Sequence, residues 1–201
     1  GGERAAFDWL RKQLPRAKAV LITDIPACFA LLPWQRVKNG CLLPEAATRS
    51  LLLQPWKQAK IVWPGPGKPF SLGEAFLRGA TSASLCAHEV GSGRGIPPGA
   101  VLSPIVSQYV LQGMLTEELL VDFPGIEIGL FADNLIILLP DEKLTTPVRH
   151  RLKMLAQNQF DDIVAVQLHE RTNVFHPDQA IPWLGRIVRR NSNRITTDPF
   201  R

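Results

Sequence analysis

The amino-acid sequence predicts an α+β fold, an antiparallel sheet with helices packed on one face, and three observations lead to it. Segments of strand-like and helix-like periodicity follow one another in the order β, α, α, ββ-hairpin, α, β, ββ, so strands pair with near neighbours instead of crossing over through helices. Residues 126–140, IEIGLFADNLIILLP, set two apolar, β-branched runs on either side of Ala132-Asp133-Asn134, which reads as a hairpin of 126–131 with 135–139. With 201 residues, 45% hydrophobic and 20% charged, the chain has ordinary globular composition and the length of one sizeable domain, 1–201.

Residues 4–14 (RAAFDWLRKQL) put Ala6, Phe7, Leu10 and Leu14 at helical spacing with Arg11 and Lys12 outside, and Pro15 ends the helix. The strand 19–23 (AVLIT) follows and delivers Asp24 at its end. A turn or short helix runs through Phe29 and ends by Pro33, and 33–37 reads as a helix start with proline in its first turn. Residues 44–57 are predicted helical and interrupted at Pro55. A short strand, 61–63, precedes the loop Pro64-Gly65-Pro66-Gly67, and 70–78 is a helix weakened by Gly73. Residues 91–104 (GSGRGIPPGAVLSP) form a loop whose glycines let the backbone approach something closely, or a plain connection of the same composition. The helix 104–120 then carries Leu111, Leu115 and Leu119 along one side. Beyond the hairpin, 146–160 is a helix with Leu152 and Leu155 inward and Arg149, Arg151 and Lys153 outward. β-Branched content predicts a strand over 163–168, Val174-Phe175 and 183–188 read as two more, and 191–201 is a polar tail.

Lys and Arg number 23 and Asp and Glu 18, a net charge of +5 with pI ≈ 9.4, which suits a polyanionic partner without establishing one. The three cysteines form no CxxC pair, so neither a zinc ribbon nor a disulfide framework is expected, and a reducing, intracellular and cytoplasmic setting is. No apolar run approaches the length of a membrane span, and the N-terminal residues lack a signal-peptide hydrophobic region, so no membrane partner is expected.

Chemistry concentrates on two carboxylates. Asp133 beside Asn134 fits plain turn chemistry, since short polar side chains favour such positions. A second apolar strand ending in an acid, 19–23 with Asp24, opens another reading. Two such strands could bring both carboxylates together as hard oxygen ligands for Mg²⁺, with water and substrate phosphate completing its coordination.

In order along the chain, these motifs resemble the palm of a reverse transcriptase, an RNA-directed DNA polymerase, of the bacterial kind that includes group II intron maturases and retron enzymes. AVLITDIPACFALLP resembles the first catalytic motif, a strand ending in Asp-Ile and followed by an aromatic residue. GIPPGAVLSPIVSQYVL resembles the Gly-x-Pro-Gln-Gly-x-x-x-Ser-Pro loop and its helix, and GLFADN the Tyr-Ala-Asp-Asp hairpin. LHERTNVF resembles the Leu-x-x-Glu-Lys-Thr segment, and PWLGRIV the Phe-Leu-Gly-Phe primer-grip strand. The matches span roughly residues 19–190, and their joint order is more specific than any one of them.

The resemblance implies Mg²⁺, with Mn²⁺ as an alternative, held by Asp24 and Asp133 and further by the Ile25 carbonyl. It implies that Phe29 occupies the space of a nucleotide 2′-hydroxyl, which favours dNTPs, and that Pro98, Gly99, Ser103 and Asn134 face the incoming nucleotide. It implies contacts of Leu184, Gly185, Arg186 and Arg171 with a primer on an RNA or DNA template, with Arg189 and Arg190 near the primer phosphates. Four positions depart from the pattern: Asn134 replaces the second hairpin Asp, Phe131 its Tyr, Pro98 the loop Gln and Arg171 the Lys. Asn134 removes a negative charge, Pro98 cannot donate a side-chain hydrogen bond, and Arg171 hardly deprotonates and so is a poorer proton donor than Lys.

Fingers and thumb are absent from the pattern, so the chain reads as a fragment of a longer protein or as a palm that has lost the rest. Positioning supplies much of such catalysis, so weak or no polymerase activity is expected of the 201 residues alone. The alternative is a catalytically silent reverse-transcriptase-like domain that binds nucleic acid or scaffolds a protein assembly. A phosphodiesterase or cyclase on a similar palm would need further acids near Asp24, which Ala27 and Ala30 do not supply. Two-metal sites hold their ions roughly 4 Å apart, so carboxylates more than about 8 Å apart, or either one locked to an arginine, would count heavily against one.

Overall fold

The computed structural model describes residues 2–25, 28–33, 36–37, 44–48, 50, 96, 102–160, 162–191 and 194–199. In chain order its helices are α1 (Glu3–Gln13), α2 (Cys28–Leu31), α3 (Glu45–Thr48), α4 (Ser103–Leu111), α5 (Glu117–Asp122), α6 (Thr145–Gln159) and α7 (Asp162–Arg171). Its strands are β1 (Ala19–Asp24), β2 (Glu127–Phe131), β3 (Asn134–Leu139), β4 (Asn173–Phe175), β5 (Ile181–Trp183), β6 (Arg186–Asn191) and β7 (Arg194–Pro199). The α+β architecture is as the periodicities require, and the strands form antiparallel sheets in the orders β2-β3-β1-β4 and β5-β6-β7.

Two compact units divide the chain, Gly1–Ile25 with Met114–Arg201 in one and Pro26–Gly113 in the other. In the first, β1 lies inside its sheet because its leading residues are apolar: Ala19, Val20 and Leu21 are all buried. Such a run suits a strand covered on both faces. Side chains alternate along a strand, so Val20, Ile136 and Leu138 share one face and Leu21, Thr23, Leu135 and Ile137 the other. The first face packs on Phe7, Leu10 and Leu14 at the end of α1, and on Ile181, Trp183 and Val188 from the second sheet. The opposite face receives α6 and α7. Each large side chain buried there contributes about 1.5–3 kcal/mol relative to exposure.

One contact requires a glycine. Trp9 of α1 lies so close to β2 that a Cβ on Gly129 would stand 2.6 Å from its ring. The β5–β6 hairpin turns through Leu184 and Gly185, both at positive φ, 49° and 69°, the geometry that matches strand twist in two-residue loops.

Three expectations are corrected. Residues 163–168 are helical, as part of α7, because Val164, Ala165 and Leu168 fall on one helical stripe that packs against α6. The stretch 183–188 is the end of β5, a turn and the start of β6, since the Leu184-Gly185 pair reverses the chain. The polar tail contains β7, paired along β6 from Arg186↔Pro199 to Asn191↔Arg194.

In the second unit α2 packs near α4, and the Ile96 amide donates to the Phe29 carbonyl at 2.7 Å. Cys28, Leu32, Val37 and Ile96 are buried. The expected strand 61–63, the loop 64–67, the helix 70–78 and the residues Pro98 and Gly99 lie outside the described residues. No described helix is long and apolar enough to cross a membrane.

Candidate functional site

Because β1 and β3 are direct neighbours, their ends decide where the two carboxylates meet. Asp24 closes β1 opposite Asn134, and the Ile25 amide donates to the Asp133 carbonyl at 3.0 Å. Phe131 pairs with Asn134, so the loop is Ala132-Asp133 alone and Asn134 belongs to the strand. Ala132 turns the chain at φ 54°. A residue with a Cβ there costs about 1–2 kcal/mol.

Burial pushes the Asp133 carboxyl above the ordinary aspartate range. A hydrogen bond from its own backbone pulls it down, and the negative charge of Asp24 raises it again. The Asn134 side-chain amide donates to Asp133 Oδ1 at 3.1 Å. Where the family pattern has a second acid, this chain therefore has a donor turned to the first.

The other participant comes from α7. Arg171 Nη1 donates to Asp24 Oδ2 at 2.7 Å. Its approach is set by a group of bonds on the last turn of the helix. Thr172 donates to the Leu168 carbonyl from its amide at 3.0 Å and its hydroxyl at 2.6 Å, and the Thr23 hydroxyl of β1 reaches the same oxygen at 3.4 Å. Arg149 of α6 donates to the His169 carbonyl from Nε at 3.2 Å and Nη2 at 2.6 Å. A guanidinium on terminal carbonyls complements the negative end of a helix. Sequence reasoning assigned Arg149 to a solvated face and gave Thr23 and Thr172 no role. Thr172 lay inside the HERTNVF motif, but its buried bond depends on α7 being a helix.

The sheet end thus gathers Asp24, Ile25, Asp133, Asn134 and Arg171. The Asp24–Arg171 pair is a single contact with both side chains about half exposed, 47% and 48%. Exposed pairs of this kind contribute about 0.2–1 kcal/mol. An arginine held on Asp24 is the arrangement expected to count against a two-metal site, here as a single, half-exposed contact. Among the described residues no three His, Cys, Asp or Glu side chains are grouped to hold a metal. The carboxylates at this sheet end are those of Asp24, which carries Arg171, and Asp133, which carries the Asn134 amide.

Three of the remaining candidates lie in the second sheet of the same unit. Leu184 and Gly185 form the β5–β6 turn, where Leu184 packs against the same apolar cluster as Ile22 and Phe131. Arg186 places its guanidinium 5.8 Å over the Phe7 ring. Phe29, half-buried, and Ser103, fully buried at the start of α4, belong to the second unit. Neither a protein-family model nor a curated protein matches the chain.

Proposed function

We propose that the chain is the palm of a reverse-transcriptase-type, template-directed nucleotidyltransferase, with Asp24 and Asp133 as its cation-binding carboxylates. The observation that supports this reading is the convergence of two strand-borne acids, distant in sequence, at one end of an antiparallel sheet, where Asp24 adds to the raised proton affinity of Asp133. Two neighbouring carboxylates, one half-buried, are a charge arrangement that a divalent cation relieves. Bound there, Mg²⁺ or Mn²⁺ would stabilise charge on the attacking and leaving oxygens of a phosphoryl group. Arg171 would release Asp24 and turn to the phosphates of the primer, which a guanidinium binds through paired donors. The motif resemblance assigns Phe29, Pro98, Gly99 and Ser103 to the nucleotide, and Leu184, Gly185 and Arg186 to the primer. The ion pair is weak enough to oppose the cation by no more than about fivefold.

A second reading, a silent palm kept as a nucleic-acid-binding or assembly scaffold, is favoured by the Arg171–Asp24 pair and by the Asn134 amide on Asp133. Titration calorimetry with Mn²⁺, with and without a dNTP and primed template, separates the two. The polymerase reading expects cation binding that the nucleotide strengthens, that Asp24→Ala or Asp133→Ala abolishes, and that without nucleotide rises up to about fivefold in Arg171→Ala. Equal and negligible binding in all four proteins would leave only the scaffold.

A further inference from the structure

Away from the carboxylates, α1 and β6 form a groove of about 330 Å³ lined by Glu3, Arg4, Phe7, Arg11 and Arg186. Phe7 supplies its apolar wall. The ring is edge-on to Trp183 at 5.6 Å between centroids, and Arg186 lies over its face. That stacking holds the Arg186 guanidinium in place without neutralising it. Arg4 and Arg11 stand seven residues apart, on the helix stripe that carries Phe7 between them. Arg11 pairs with Asp8 at 2.8 Å, and Arg4 makes no ion pair among the described residues. With Arg11 paired to Asp8, Arg4 and Arg186 face the one lining carboxylate of Glu3, which leaves the groove with a modest cationic excess in a chain of net charge +5.

We propose that this groove binds the phosphodiester backbone of a nucleic-acid strand. It shares Arg186 with the primer contact above and extends that contact along α1, so it rests on the nucleic-acid-handling part of the reading above but not on catalysis. Two helical turns separate Arg4 from Arg11 by about 10.5 Å along the axis, more than one phosphate group spans. Successive phosphates of a strand can meet both. Guanidinium groups match phosphate oxygens with paired donors. Phe7 is 5% exposed and covered by Arg186, so it offers no free face for base stacking and the contact reads backbone instead of sequence.

The test is fluorescence anisotropy with a labelled 20-nucleotide single-stranded RNA of mixed sequence, in EDTA, across a salt series. The triple variant Arg4→Gln, Arg11→Gln, Arg186→Gln is expected to lose at least about tenfold in affinity at low salt. Two to three lost phosphate contacts, Arg11 being shared with Asp8, flatten the log–log salt slope by about 1.5–2. The corresponding triple Lys variant should keep most of the slope. Arg4→Glu, at an exposed position that the fold does not need, should weaken binding alone even where the triple variant folds poorly. Unchanged RNA binding in the Gln and Glu variants overturns the proposal. So does full competition by inorganic phosphate or a nucleoside triphosphate at equal phosphate concentration, which would assign the groove to a small phosphate ligand. Asp24→Ala and Asp133→Ala should bind this RNA normally in EDTA, so failure of the groove and failure of the carboxylate site are read separately.

Discussion

At the tip of the β2–β3 hairpin Ala132 sits at φ 54°, and at the tip of β5–β6 Leu184 sits at φ 49°. Both are two-residue loops, both place a side chain where glycine is the easier choice, and both carry a backbone cost of about 1–2 kcal/mol. At Leu184 the cost is offset locally: the side chain packs on the cluster of Phe7, Trp183 and Val188, and Gly185 takes the second left-handed position without strain. At Ala132 nothing comparable is gained, because a methyl group buries little and the next residue is a half-buried carboxylate. One hairpin spends conformational freedom on packing, the other on presenting Asp133.

The largest effect expected from that contrast is at the packed hairpin. Trp183 is 3% exposed and joins the second sheet to α1 through Phe7. Trp183→Ala should cost about 3–5 kcal/mol in urea denaturation. Asp133→Ala, at the tip of the other hairpin, should be neutral or stabilising. A loss of similar size at both tips would erase the distinction.

A smaller effect compares the turns directly. Ala132→Gly relieves the left-handed strain and should gain roughly 0.5–1 kcal/mol after the added chain entropy, about 2–4 °C in Tm per kcal/mol for a chain of this size. Leu184→Gly relieves the same strain but loses a half-buried side chain, and should destabilise by roughly 1 kcal/mol. If both glycine variants stabilise, Leu184 is no anchor.

The hairpin and its acids were legible in the sequence because apolar runs of strand length leave Asp24 and Asp133 little choice but the strand ends. What decides the character of the site was not. Arg171 reaches Asp24 across 147 residues of sequence. It can do so only because 162–171 is a helix whose last turn is tied to β1 through the Leu168 carbonyl. Local composition pointed the other way, since Ile163 and Val166 favour strands. Packing of Val164, Ala165 and Leu168 against α6 overrode that preference. The spacing of those three residues contained the helical signal, and β-branching masked it. The second sheet was half legible for a similar reason: Gly185 marks a turn, but a Leu at positive φ before it does not announce one, and β7 has too few apolar residues to read as a strand.

The smallest effect concerns pH and separates a presented carboxylate from ordinary turn chemistry. The Asp133 carboxyl titrates above the ordinary aspartate range when folded, chiefly through burial and further through Asp24. A carboxyl with a raised folded pKa binds its proton more tightly folded than unfolded, so its contribution to stability is greatest when it is protonated. That contribution falls away as pH rises from the unfolded value through the folded one, and at neutral pH the charge is a burden. Asp133→Asn removes the burden and keeps a polar turn residue, so at pH 7 its Tm should exceed that of the parent protein. The advantage should shrink as pH is lowered through the raised folded pKa and vanish below the ordinary aspartate range. Thermal melts of the two proteins from pH 3 to pH 8 check the sign. A constant difference, or one that grows in acid, would mean that Asp133 is a solvated turn residue, and the case for a carboxylate held ready for a cation would lose its electrostatic support.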